Sequence, residues 1–194
     1  MIVTILWGAM IVAGLASTLL IPLWIWFHPD RTADDVVDFL LPVDLERAER
    51  LLDPSVEYSL RVAVSSSEFR ELQRRRTYLY LEFLRRMSHN AAILVQCANK
   101  EAQGGDEQVA DLARAVQQEG VKVRGYAIFT SLKLRFWLLF GLALWYLSAA
   151  PSLSEAREMY GIRGLEAYGS LKTAAGSLFS RIRRDRFEEL LQNL

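Results

Sequence analysis

Apolar and polar residues are strongly segregated along this chain, and their spacing predicts helices almost throughout. Residues 2–27 contain no charged side chain. At the usual helical rise this run would extend about 39 Å, beyond the roughly 30 Å hydrocarbon core of a bilayer. Trp24, Trp26 and Phe27 gather at its far end and Trp7 lies near the other, where amphipathic rings favour the lipid interface. No basic residue precedes the run, and it continues well past the small residues between Ala13 and Ser17. An uncleaved signal-anchor helix is therefore expected over 2–27, rather than a removed signal peptide. A second charge-free run covers 136–154, bordered by Lys133 and Arg135 and interrupted by Pro151. Its apolar side chains lie all round the helix and leave no polar face, which predicts a second transmembrane helix over 134–152. The competing reading is a core helix covered by protein.

Between these runs the pattern is that of a helical domain, 28–133. Thr32 and Asp35 frame a short helix over 33–41 that Pro42 ends, and Asp44 caps another over 45–52. Val56, Tyr58, Leu60, Val62 and Val64 alternate like a strand, but no second alternating run is available to pair with them, so helix or irregular backbone is expected. Ser65 and Glu68 have capping-box spacing and open a long helix. Phe69, Leu72, Leu79, Phe83, Met87, Ala91 and Leu94 form its predicted apolar stripe. Gly104 and Gly105 break that helix, and Asp106 can cap the next. Val109, Leu112 and Val116 give the next helix a narrower apolar face, which is expected to end at Gly120. Two stripes joined by a short turn predict an antiparallel hairpin. The tail, 153–194, is amphipathic again, with Leu171, Ala175, Leu178 and Ile182 on one face. The expected fold class is thus an all-α membrane protein: two transmembrane helices, an intervening helical hairpin domain and an amphipathic C-terminal helix.

Charge refines this picture. Lys plus Arg and Asp plus Glu each total 23, so no global field points to nucleic acid, and none is expected as a partner. Locally, Arg31, Lys122, Arg124, Lys133 and Arg135 flank the middle segment. The positive-inside rule then places 28–133 in the cytoplasm of a multi-pass membrane protein, with both termini across the membrane. Cys97 is the only cysteine, and it lies in an apolar stretch that suits a small buried residue. His28 and His89 are far apart and have no ligand-type spacing. No cofactor is expected.

Three groups of residues invite a functional reading. Asp34, Asp35 and Asp38 have the DDxxD spacing with which carboxylates on one helix face can chelate a hard cation beside a lipid diphosphate, but the spacing alone is nonspecific and an acidic first turn complementing the helix dipole explains the same residues. Arg181, Arg183, Arg184 and Arg186 could rest on anionic lipid. Ala9, Ala13 and Ser17 recur every four residues, a step that lets helices approach closely. Arg74, Arg75, Arg76, Arg85 and Arg86 share their helix with Glu68, Glu71 and Glu82, the pattern of a solvated, ion-paired face. No nucleophile elbow or phosphate loop occurs. The expected function is a non-catalytic, membrane-anchored interaction or scaffold protein. Its expected partners are the lipid bilayer and either a second copy or another membrane protein. A lipid-diphosphate enzyme and a lipid-surface binder are the alternatives.

Overall fold

The computed structural model describes residues 36–104, 106–143, 153–182 and 194. All of them belong to one compact unit, Arg31–Leu194. Its elements are α1 (Val36–Phe39), α2 (Leu45–Leu51), α3 (Pro54–Ala63), α4 (Ser66–Glu101), α5 (Glu107–Ala143), α6 (Leu153–Ala156) and α7 (Ile162–Ile182). A single π-helical turn, Arg157–Gly161, joins α6 to α7. No strand occurs among the described residues, so the chain is all-α there.

Local chemistry explains the helix starts. Asp44 Oδ1 accepts the Arg47 amide at 2.9 Å and caps α2. Asp53 Oδ1 accepts the Ser55 amide at 2.8 Å, and Pro54 supplies the first residue of α3. That cap decides the 56–64 segment in favour of helix. Ser65 and Glu68 form a reciprocal capping box on α4: the Ser65 amide donates to Glu68 at 3.0 Å and the Glu68 amide to Ser65 Oγ at 3.4 Å. Asp106 accepts the Gln108 amide at 2.9 Å at the start of α5.

The long helices α4 and α5 pack along one another, and α7 packs against α5. One core joins Met87, Ala91, Leu94 and Cys97 of α4 to Ala113, Val116 and Val123 of α5 and to Tyr168, Leu171, Ala175 and Leu178 of α7. Burial pushes the Cys97 thiol up to about 12, which keeps it protonated and unreactive at neutral pH. A second core joins Leu52, Tyr80, Leu84, Ala127, Leu134, Leu153 and Ala156.

Three expectations change. The second helix does not end at Gly120 but continues unbroken to Ala143. Gly120 faces α4 so closely that a Cβ there would stand 2.3 Å from Val95 Cγ2, so the glycine marks a helix crossing and not a stop. The predicted stripe of α4 is buried at Phe69, Met87, Ala91 and Leu94. Between Phe69 and Met87 the buried face runs instead through Gln73, Thr77, Tyr80 and Leu84, and Leu79 is 49% exposed. The multi-pass integral membrane protein with a cytoplasmic 28–133 is corrected as well. Among the described residues, no helix is long and apolar enough to cross a membrane. The described part of the 134–152 run is the last stretch of α5: Leu134 is buried in the second core, and Trp137 packs against it. Protein covers Leu134 fully and Trp137 in part. The expected signal-anchor helix over 2–27 and residues 144–152 lie outside the described residues.

Two buried hydroxyls in this region, Tyr80 Oη and Thr130 Oγ1, find no hydrogen-bond partner among the described residues. Burial holds the Tyr80 phenol well above its ordinary value. A buried, unsatisfied hydroxyl costs about 1–3 kcal/mol. Tyr80→Phe is therefore expected to leave stability unchanged or raise it by up to about 1 kcal/mol. Urea unfolding monitored by circular dichroism checks this, and a loss above that size would show that the hydroxyl has a partner.

Candidate functional site

The residues singled out by sequence are not drawn together. Asp38 is an exposed residue of α1, and Asp34 and Asp35 lie outside the described residues. No group of three or more His, Cys, Asp or Glu side chains that could hold a metal ion occurs among the described residues. Arg181 Nη2 donates to Gln108 Oε1 at 2.8 Å, tying the end of α7 to the start of α5. The apolar face of that helix, Leu171, Ala175 and Leu178, is in the core. Arg183, Arg184 and Arg186 lie outside the described residues, as do Ala9, Ala13 and Ser17.

Two polar clusters escaped the sequence reading. Asn90 is fully buried on α4, at the register where an apolar residue would normally sit. Its Oδ1 accepts the Leu41 amide at 2.9 Å, and its Nδ2 donates to Leu41 O at 2.8 Å and to Tyr168 Oη at 2.7 Å. One side chain thereby fastens the segment after α1 to both α4 and α7. At the other end of α4, Arg76 is 8% exposed, and its guanidinium donates to Leu51 O at 2.7 Å and to Gln73 Oε1 at 3.2 Å. Desolvation pulls its pKa down, while the charges of Glu57 and Asp53 oppose that shift. Glu57 is buried too and accepts the Ser154 amide at 3.3 Å, which anchors α6. The only sequence signal for either cluster was a polar residue interrupting an apolar register. Both hold helices together, and neither presents a reactive atom to solvent.

The arginine-rich face of α4 is an ion-pair ladder: Arg75 pairs with Glu71, and Arg85 and Arg86 both pair with Glu82. Beside it, Leu79, Phe83, Pro42 and Val43 line an open groove of about 440 Å³, with Arg47 and Arg86 at its edges. Hydrogen bonds from Arg85 and then Arg86 hold the Glu82 carboxyl down, at about 2. This value lies below the ordinary 4.5, so the contribution of Glu82 to stability is complete above about pH 4.5 and is lost as pH falls towards 2. With Glu82 41% exposed, solvent screening keeps that contribution under about 1 kcal/mol. The difference in Tm between wild type and Glu82→Gln should therefore be small at pH 7 and close as the pH drops from 5 to 2. A gap that widens instead would reverse the sign.

The surface with the clearest chemical character is the outer face of α5. Val121, Phe129, Leu132 and Phe136 are 65%, 64%, 54% and 48% exposed. With Gly125 they recur at steps of four, four, three and four residues. At 3.6 residues per turn they fall within an arc of about 80° and extend about 22 Å along the helix. The buried residues Val116, Val123, Ala127 and Leu134 occupy the opposite side. Helix α5 thus carries apolar side chains on two faces, and one of them is buried against α4 and α7. Lys122 and Lys133 border one edge of the outer stripe, and Arg124 and Arg135 the other. Residues 120–143 contain no Asp or Glu. Of these residues, the sequence reading placed only Phe136, in the expected second transmembrane run, since one helix wheel cannot tell two separate apolar faces from a uniformly greasy cylinder. No protein-family model, no curated protein and no solved structure matches this chain.

Proposed function

We propose that this chain is a non-catalytic helical interaction module that docks a partner on the outer face of α5. The exposed stripe Val121–Phe129–Leu132–Phe136 carries this reading. Its apolar side-chain surface is on the order of 400 Å², within the range of the largest patch on a typical monomer, and patches of that size are often binding sites. The bundle behind it supports such a role. The same helix is held from behind by α4 and α7, so its outer side chains are presented on a rigid support, which lowers the entropic cost of association. The polar clusters at Asn90 and Arg76 fit a scaffold in the same way, because they fix helix positions without exposing a reactive group.

Site-specific photo-crosslinking tests the reading in the full chain. A photoreactive side chain at position 129 or 132 should give a discrete crosslinked product, and one at the exposed Ser170 of α7 should not. Val121→Asp combined with Phe136→Asp should abolish that product while leaving the helical circular dichroism signal intact. Equal crosslinking from both faces, or a product insensitive to the double substitution, would remove the stripe as a docking site.

A further inference from the structure

We infer that α4, around Asn90, is a peptide-binding site that the chain fills with its own residues 36–43, and that the partner it fits is a short apolar peptide of the same pattern. This site is independent of the outer face of α5. Three observations carry the inference.

The first is how the segment is held. Residues 40–44 belong to no helix, so their main chain must find partners elsewhere. Side chains of α4 supply them. Asn90 closes a ring on the main chain of Leu41, accepting its amide at 2.9 Å and donating to its carbonyl at 2.8 Å. His89 Nε2 donates to the Phe39 carbonyl at 3.2 Å, and Arg86 Nη1 to the Pro42 carbonyl at 3.2 Å. All of these bonds read backbone, and none reads a side chain. Peptide receptors divide the work in this way: main-chain bonds supply affinity, and pockets for particular side chains supply specificity.

The second is what fills the pockets. Val36, Val37 and Leu40 are 0%, 3% and 6% exposed and join the core of Ala91, Ile93, Leu94 and Cys97. Asp38 and Phe39 between them are exposed. The ligand pattern is thus one helical turn with apolar anchors at its first, second and fifth positions, followed by non-helical backbone through Pro42.

The third is the state left behind when the segment lifts. It lies near the start of its compact unit, Arg31–Leu194, and joins the other helices through one end only, at Asp44 and α2. A segment with few buried side chains and a single attachment belongs to the part of a fold that opens first. Its departure would strip the fully buried Asn90 of Leu41 and leave it Tyr168 Oη, at 2.7 Å. A buried carboxamide without its partners is costly, so the open site favours a peptide that returns both the main-chain bonds and the apolar anchors. A lipid acyl chain offers neither donor nor acceptor there.

The test uses a fluorescent peptide of residues 34–43 and the full chain, as wild type and as Leu40→Asp. That substitution puts a charge where the segment is buried and so loosens it in cis. The peptide should bind Leu40→Asp at least about tenfold more tightly than wild type, whose own segment competes. The same peptide with Leu41 replaced by its hydroxy acid carries an ester oxygen in place of the amide N–H. It should bind roughly tenfold more weakly, although its side chains are unchanged. A thiol reagent should label Cys97 faster in Leu40→Asp than in wild type, and the peptide should restore protection. Failure of a folded Leu40→Asp to bind the peptide would overturn the site, and equal binding of the amide and ester peptides would overturn backbone reading. If Leu40→Asp loses its helical circular dichroism, hydrogen exchange of the wild type decides. The Leu41 amide should then exchange faster than that of Leu94 in α4. Equal rates would show that the segment leaves only when the whole bundle unfolds, which closes the site to any peptide. Concentration-dependent dimers that the peptide dissociates would make a second copy the occupant and overturn the partner peptide.

Discussion

Asn90→Leu is expected to destabilise the bundle by about 3 kcal/mol, out of a total that for a domain of this size is typically about 5–15 kcal/mol. Leucine is close to asparagine in volume, so the loss reports hydrogen bonding and not a cavity. It strands the Leu41 amide, the Leu41 carbonyl and the Tyr168 hydroxyl, all of which now meet Asn90 within 3 Å. Each buried orphan costs about 1–3 kcal/mol, with the lower figure apt for Leu41, which is only half-buried. For a chain of this length the expected fall in Tm is roughly 6–12 °C. Tyr168→Phe alone should cost about 1 kcal/mol, because it removes one partner and leaves two. The double substitution should cost less than the sum, since the Asn90–Tyr168 bond cannot be lost twice. Urea unfolding of the four variants measures this directly. A single-substitution loss below about 1 kcal/mol would mean that water satisfies all three groups.

The same glycine-to-alanine change should have opposite signs at two positions of α5. At Gly120 the new Cβ would lie 2.3 Å from Val95 Cγ2 and 3.4 Å from the Ala91 carbonyl. A valine in a helix has one strongly favoured rotamer, so Val95 cannot swing away freely and the helices must separate. Overpacking of this kind costs about 1–3 kcal/mol, against a helix-propensity gain of up to about 1 kcal/mol. Gly120→Ala is therefore expected to destabilise by about 1–2 kcal/mol. Val95→Ala in the same chain should restore most of that, because it removes the atom in the way. At Gly125 nothing opposes the methyl, and Gly125→Ala should stabilise by roughly 0.5–1 kcal/mol. Denaturation midpoints for the wild type and the three variants give both signs. A stabilising Gly120→Ala would show that the helix crossing is looser than its geometry implies.

Much of the architecture could be read from local sequence. Asp44 and Ser65 each announced a helix start, because an N-cap needs only its own side chain and amides two or three residues away. The break at Gly104 was equally local, and so was the helical content of the tail. Interactions of this range are complete within a few residues, so residue types in order suffice to recognise them.

Partner choice was not local, and the errors fall there. Gly120 looked like a stop because glycine is a poor helix former. Its role as a contact point depends on Val95, which is reached only once α4 folds back along α5. Nothing local marked Asn90, and Arg76 looked like part of a solvated, ion-paired face, yet Arg76 is buried and the partners of the two, Leu41, Tyr168 and Leu51, are 49, 78 and 25 residues away. The stretch from Leu134 onwards looked ready for lipid because hydropathy measures how apolar a side chain is and not what surrounds it. Leu52, Tyr80 and Leu153 surround Leu134 instead. Helix periodicity likewise showed that α5 is greasy on several sides. Only the placement of α4 and α7 against one of those sides decided that Val123, Ala127 and Leu134 are buried while Phe129, Leu132 and Phe136 stay largely exposed.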